Sequence, residues 1–87
     1  MKIWKYPLEV SDAQRVNMPA GAKLLCIQVQ RGVPMLWALV NSENEVEPRF
    51  LLTVGTGHRC PGGLGSYVGT YQIDSGFLVF HVFEECK

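Results

Sequence analysis

The residue types best suited to chemistry stand together in one glycine-rich stretch, residues 54–63. A turn of this kind can aim several backbone N–H groups into one concavity, an arrangement that holds an anion. Thr56 could add a hydroxyl donor, and Arg59 could hold a phosphate through two parallel hydrogen bonds. The stretch therefore predicts a binding site for a small anionic ligand. Its candidate residues are Gly55, Thr56, Gly57, His58 and Arg59.

An aromatic side chain near this stretch could complete the site by packing on a base or a sugar. Tyr67 is the preferred candidate, because it follows the glycine-rich region closely along the chain. Ordinary packing is the alternative for every aromatic residue, and it is favoured for Trp37, which lies in a continuous apolar run.

The stretch does not match a nucleotide-binding fingerprint. Cys60 stands where the third glycine of a dinucleotide-binding turn would be, and the lysine followed by Ser or Thr of a phosphate-binding P-loop is missing. A simpler interpretation, in which the glycines only permit a tight turn and His58 and Arg59 face solvent, stays open.

Metal binding and catalysis are less favoured interpretations. The side chains of suitable type are His58, Cys60, His81 and Cys86. They lack the paired spacing of zinc ligands, and no Asp or Asn is placed to orient a base for a nucleophilic cysteine. His81 is better explained as a partly buried imidazole on a strand. We therefore expect no metal, no cofactor and no catalytic residue, so that the protein is not an enzyme.

Length and composition limit the partners that the protein can have. The 87 residues suffice for one domain, residues 1–87, with a thin core, and 47% of them are hydrophobic. A small apolar domain can bury further surface against copies of itself, so we expect a homo-oligomer. Eight basic and eight acidic residues cancel without forming a basic stripe, which makes nucleic acid an unlikely partner.

The sequence also suggests a compartment. Three cysteines at unpaired spacing do not form a disulfide framework. The first residues lack a signal-peptide pattern, and no apolar run is long enough to span a membrane. These features predict a cytoplasmic protein with no membrane partner.

Alternation of apolar residues and frequent turn residues predict a mainly β fold. We expect a small antiparallel barrel or sandwich of about six or seven short strands, with at most one short helical turn. The predicted strands cover residues 2–6, 16–18, 24–30, 35–40, 50–54, 67–73 and 77–83. The third and fourth strands form one hairpin, the last two form another, and residues 35–40 form a central strand covered on both faces. The helical turn is expected at residues 10–15, an exposed loop at residues 41–49 and a loose end at residues 84–87.

Several short motifs resemble an uncharacterised family of short proteins from tailed bacteriophages and prophages. They are Lys2-Ile3-Trp4-Lys5-Tyr6, Met18-Pro19-x-Gly21-Ala22-Lys23, Cys26-x-Gln28-Val29-Gln30, Trp37-Ala38-Leu39-Val40, Gly55-Thr56-Gly57-His58, Tyr67-Val68-Gly69-Thr70 and Val79-Phe80-His81-x-Phe83. The resemblance spans nearly the whole chain and carries over no catalytic residue. It implies a phage product that acts in the cytoplasm of the bacterial host.

Taken together, these features favour a phage-encoded binding protein that sequesters a small anionic ligand, such as a cyclic nucleotide used as an immune signal. This function would make it a counter-defence protein. Two other functions stay open: an inhibitor that binds a host enzyme or defence protein, and a minor structural or assembly factor of the phage.

Overall fold

The protein, described over residues 1–86 by a computed structural model, folds into two antiparallel sheets. The seven strands of the described residues are β1 (Lys2–Pro7), β2 (Ala13–Pro19), β3 (Lys23–Gln30), β4 (Val33–Val40), β5 (Val46–Gly55), β6 (Leu64–Ile73) and β7 (Leu78–Glu85). Their order is β1-β4-β3 in one sheet and β2-β5-β7-β6 in the other. The predicted mainly β class and strand number are confirmed, as a sandwich-like arrangement rather than a closed barrel. Within residues 1–86, no helix has the length and apolar character needed to cross a membrane.

The core lies between the inward faces of the two sheets, because apolar side chains alternate along the strands. Its buried members are Leu8, Met18, Ala22, Ile27, Leu36, Ala38, Val40, Leu51, Tyr71 and Val82. The sheets approach closely where β6 meets β3. A Cβ atom added to Gly69 would lie 3.1 Å from both the Cβ and the main-chain nitrogen of Ile27, so this close contact favours a glycine.

Both predicted hairpins are present. β3 and β4 pair through a turn in which Arg31 and Gly32 both have positive φ, and β6 and β7 pair through a short 3-10 turn at Asp74–Gly76. β4 is the central strand of its sheet, as predicted. Its inward face is fully buried, but Met35 and Trp37 on its outward face are only half-buried, so the expectation that both faces are covered is wrong.

The helical turn expected at residues 10–15 does not form, because local side-chain bonds satisfy the backbone differently. The Gln14 side-chain amide accepts from the Glu9 N–H at 3.0 Å and donates to the Glu9 carbonyl at 2.8 Å. The Ser11 hydroxyl donates to the Ala13 carbonyl at 3.2 Å rather than capping a helix. β2 therefore begins at Ala13, within the segment predicted to be helical.

The loop expected at residues 41–49 is shorter than predicted, because β5 already begins at Val46, opposite Pro19 of β2. The end of the chain is also more ordered than expected. β7 continues to Glu85, and the Cys86 N–H donates to the Gly63 carbonyl at 2.6 Å. The expectation of a loose end is wrong for residues 84–86, and Lys87 lies outside the described residues.

Candidate functional site

The glycine-rich stretch leaves the end of β5 as a tight turn. The His58 N–H donates to the Gly55 carbonyl at 3.0 Å, and the Thr56 N–H donates to the Val79 carbonyl of β7 at 3.0 Å. The imidazole of His58 folds over Gly55, where an added Cβ would lie 3.0 Å from Nδ1. Gly57 has a φ of +83°, a conformation that favours glycine. The two glycines therefore have different roles, one giving room to an imidazole and the other forming the turn.

A chain of four side chains runs beside this turn, across β7 and β6. The Thr56 hydroxyl lies 2.7 Å from Nε2 of His81, and the Thr70 hydroxyl lies 2.9 Å from its Nδ1. The Tyr67 hydroxyl lies 2.5 Å from the Thr70 hydroxyl. His81 and Thr70 are registered neighbours on β7 and β6, so the sheet sets their contact. Thr56 lies just beyond β5, and the bond from its N–H to the Val79 carbonyl holds it beside β7. We call Thr56, His81, Thr70 and Tyr67 the hydroxyl–imidazole chain.

The hydrogen bonds of the hydroxyl–imidazole chain can run in either direction, because every hydroxyl both donates and accepts. With the proton on Nε2, His81 donates to Thr56, and Nδ1 accepts from Thr70. The Thr56 proton can then go to the Val79 carbonyl 3.4 Å away or to a ligand. The chain is therefore suited to stabilising an anion placed next to Thr56.

A pocket of about 220 Å³ lies between the turn and the outward face of β7. Its lining combines the turn with His81, Phe83, Val54 and Cys60. Tyr67 packs edge-to-face on Phe83, with 5.5 Å between the ring centroids and 65° between the planes. The pocket thus has an apolar aromatic side and a polar side formed by Thr56 and His81.

A second depression, of about 360 Å³, lies on the other side of His58. Arg59 and Asp12 line it, together with Thr53 and Pro61. It shares Val54, Gly55 and His58 with the first pocket. The two cavities are therefore neighbours that one elongated ligand could occupy together.

The structure divides the predicted site residues between these two cavities. Gly55, Thr56, Gly57 and His58 line the pocket beside His81, and Arg59 lines the second depression instead. Tyr67 is not part of the lining of either cavity. It contacts Thr70, and it packs on Phe83, which does line the first pocket. Whether any of them binds a ligand stays a prediction.

Sequence reasoning missed the part of the site that β6 and β7 provide. It correctly placed His81 as a half-buried imidazole on a strand, but did not connect it with Thr56 and Thr70. The hairpin register supplies that connection, since Thr70 pairs with His81. Among residues 1–86, no cluster of three or more His, Cys, Asp or Glu side chains could hold a metal ion.

Comparison with known proteins places the chain in a family. The sequence model of DUF7352, described as a domain of unknown function, matches residues 1–87. No curated protein and no solved structure matches the chain. Since the match spans the whole length, the protein belongs to the DUF7352 family.

Proposed function

We propose that this protein binds and sequesters a small anionic ligand of the nucleotide class without transforming it. The observation that carries the proposal is the pair of adjoining cavities around His58, one aromatic and apolar, the other lined by an arginine. A nucleotide has the same division, since it combines a flat ring with a charged phosphate. A pocket of about 220 Å³ is smaller than a typical site for a drug-sized ligand, and it suits a single ring.

The charges around the second depression fit a nucleotide better than an isolated phosphate. Arg59 is exposed and can form two parallel hydrogen bonds with a phosphate. Asp12 lines the same depression and would repel a free anion, but its carboxylate can accept hydrogen bonds from the hydroxyls of a ribose. A ligand that carries both groups uses both side chains.

The hydroxyl–imidazole chain favours binding over catalysis. Nε2 of His81 contacts the Thr56 hydroxyl, as the base of a hydroxyl nucleophile would. Its Nδ1, however, contacts the Thr70 hydroxyl rather than a carboxylate that would orient such a base, and neither nitrogen is directed at a ligand. A general base must reach the proton that it removes, within about 3 Å or through one water. Here the imidazole supports Thr56 as a hydrogen-bond donor to an acceptor atom of the ring in the smaller pocket.

The biological setting of this proposal follows from the resemblance to phage and prophage proteins. In that setting, the protein acts in the cytoplasm of the bacterial host and captures a nucleotide, such as a cyclic nucleotide, that serves as an immune signal. Capture without turnover requires one binding site per ligand, so the protein would counter such a defence stoichiometrically.

Isothermal titration calorimetry with a panel of mono-, di- and cyclic nucleotides tests the proposal. Arg59→Ala should weaken the binding of the recognised nucleotide by about 1.5–3 kcal/mol, because a charge-assisted hydrogen bond is lost. Thr56→Val keeps the shape of the side chain and removes its donor, so it should weaken binding by about 1 kcal/mol. Arg31→Ala, in the turn between β3 and β4, is the matched control and should leave affinity unchanged.

Two results would overturn the proposal. The first is that no nucleotide in the panel binds the folded protein. The second is that a nucleotide binds but Arg59→Ala and Arg31→Ala behave alike, which would locate the ligand away from the glycine turn.

A further inference from the structure

β5 has an apolar face that points away from the core. Its inward positions include the buried Leu51 and Thr53. Its outward positions, in alternation, are Val46, Pro48, Phe50, Leu52 and Val54. Val46 is 68% exposed and Phe50 is 43% exposed. An apolar outward face of this kind is typical of a sheet that a further layer covers on that side.

Neighbouring strands widen this face into a patch. Leu52 pairs with Phe83 of β7, and Phe83 pairs with Tyr67 of β6, which is 59% exposed. We call Phe50, Leu52, Phe83 and Tyr67 the outer patch. It is contiguous across three strands and contains three aromatic rings, the residue type enriched in the buried centre of protein interfaces.

The outer patch is flanked by charges of opposite sign. Arg15 of β2 is the registered partner of Phe50 and is exposed. Glu85 of β7 lies one position beyond the Leu51–Glu84 pair, which places it next to Phe50 on the other side. A cation, an aromatic ring and an anion thus follow one another across the sheet.

From this arrangement, we propose that the outer patch is the interface of a homodimer. A two-fold axis through the patch turns one copy around, so that Arg15 of each copy meets Glu85 of the other. The two four-stranded sheets then pack face to face, about 10 Å apart, as in a β-sandwich. Self-complementary charge favours a second copy of this chain over an unrelated protein, and burial of the patch supplements a thin core.

This proposal rests on observations separate from those for nucleotide binding, although the two sites share Phe83 and Leu52, and Tyr67 is a candidate residue in both. Phe83 belongs to the outer patch and also lines the pocket beside His81. A partner on the outer patch would therefore adjoin that pocket, and each dimer would contain two ligand sites. Oligomeric state and nucleotide affinity are measured separately, so failure of one proposal can be told from failure of the other.

Charge reversal with sedimentation velocity tests the interface. The wild-type protein should sediment as a dimer. Arg15→Glu or Glu85→Arg should each weaken the dimer about ten-fold or more, since each creates two repulsive contacts per dimer. The double variant should recover most of the wild-type affinity, because the pairs are restored with their signs exchanged. Arg31→Glu should have no effect.

Phe50→Asp places a charge in the middle of the outer patch and should weaken the dimer at least about 100-fold. Its control is Phe77→Asp, since Phe77 is 83% exposed beside the turn between β6 and β7. Circular dichroism confirms that each variant is folded. The proposal is overturned if the wild-type protein is monomeric over the whole concentration range. It is also overturned if the double charge variant dimerises no more tightly than the single variants. The proposal also fails if the outer patch is covered only by a different protein.

Discussion

Two polar clusters of the four-stranded sheet differ in where they face and how they are held together. Near the start of β5, the Arg49 guanidinium bonds both carboxylate oxygens of Glu84, at 2.5 and 3.0 Å, and the Ala22 carbonyl at 2.7 Å. Near its end, the hydroxyl–imidazole chain is built from hydroxyls and one imidazole beside an open pocket.

The difference separates a structural cluster from one suited to a ligand. The Arg49 and Glu84 side chains are 14% and 22% exposed, and their hydrogen bond raises the pKa of the Arg49 guanidinium despite the opposing effect of burial. A charge pair of this kind has one favourable geometry. A chain of hydroxyls can reverse its protons and still satisfy every member, so it can adjust to a bound group.

The largest effect is expected from breaking the structural cluster. Arg49→Met removes three hydrogen bonds from a partly buried site and should lower the free energy of unfolding by about 2–3 kcal/mol. Urea denaturation followed by circular dichroism measures it. Arg31→Met, on an exposed turn, is the control and should stay within about 0.5 kcal/mol of wild type. If Arg49→Met also stayed within about 0.5 kcal/mol of the wild-type free energy of unfolding, a structural role for Arg49 would be contradicted.

A smaller loss is expected at the other cluster. Thr70→Val keeps the branched shape but removes the contacts with His81 and Tyr67, and should cost about 1 kcal/mol of stability. Thr53→Val is the matched control, because the buried Thr53 hydroxyl has no partner among the described residues. It should be neutral or stabilising. Equal losses in both variants, measured by urea denaturation, would show that the hydrogen bonds of Thr70 contribute nothing.

The smallest effect at neutral pH is expected for a core hydroxyl that belongs to neither cluster. Burial raises the pKa of Tyr71 above 10.0, and its hydroxyl has no partner in the described part of the chain. The folded protein therefore keeps this proton where the unfolded chain releases it, and stability should fall as the pH rises above about 10.

Tyr71→Phe should be at least as stable as wild type at neutral pH and should lose less stability in alkali. The loss should not vanish, because burial also raises the pKa of Tyr6. Denaturation at about pH 8 and about pH 11 checks this expectation. An identical alkaline loss in wild type and variant would contradict the assigned burial of Tyr71.

Much of the fold could be predicted from the sequence because its signals are local. Alternation along β3 and the residues Asp74-Ser75-Gly76 identify strands and a hairpin without knowledge of the partners. The failures come from interactions that local patterns do not show. Arg49 resembles a solvated loop residue in sequence, yet its partner is 35 positions away.

For the same reason, only the glycine turn of the candidate site could be predicted from the sequence, and the part that β6 and β7 provide could not. Gly55 and Gly57 mark a turn because backbone geometry requires them, and that signal lies in consecutive residues. The contact between Thr56 and His81 spans 25 positions and depends on the register of β5 with β7. Arg59 and Thr56 line different cavities, and this depends on how the turn folds over Gly55.

Nucleotide binding at the glycine turn is tested most directly by an amide and imidazole NMR titration with the nucleotide that calorimetry selects. We expect shifts at residues 55–59 and at the His81 ring, with no shift around Arg49 and Glu84. Shifts centred on the Arg49–Glu84 cluster, or a saturated complex in which residues 55–59 and His81 do not move, would contradict it.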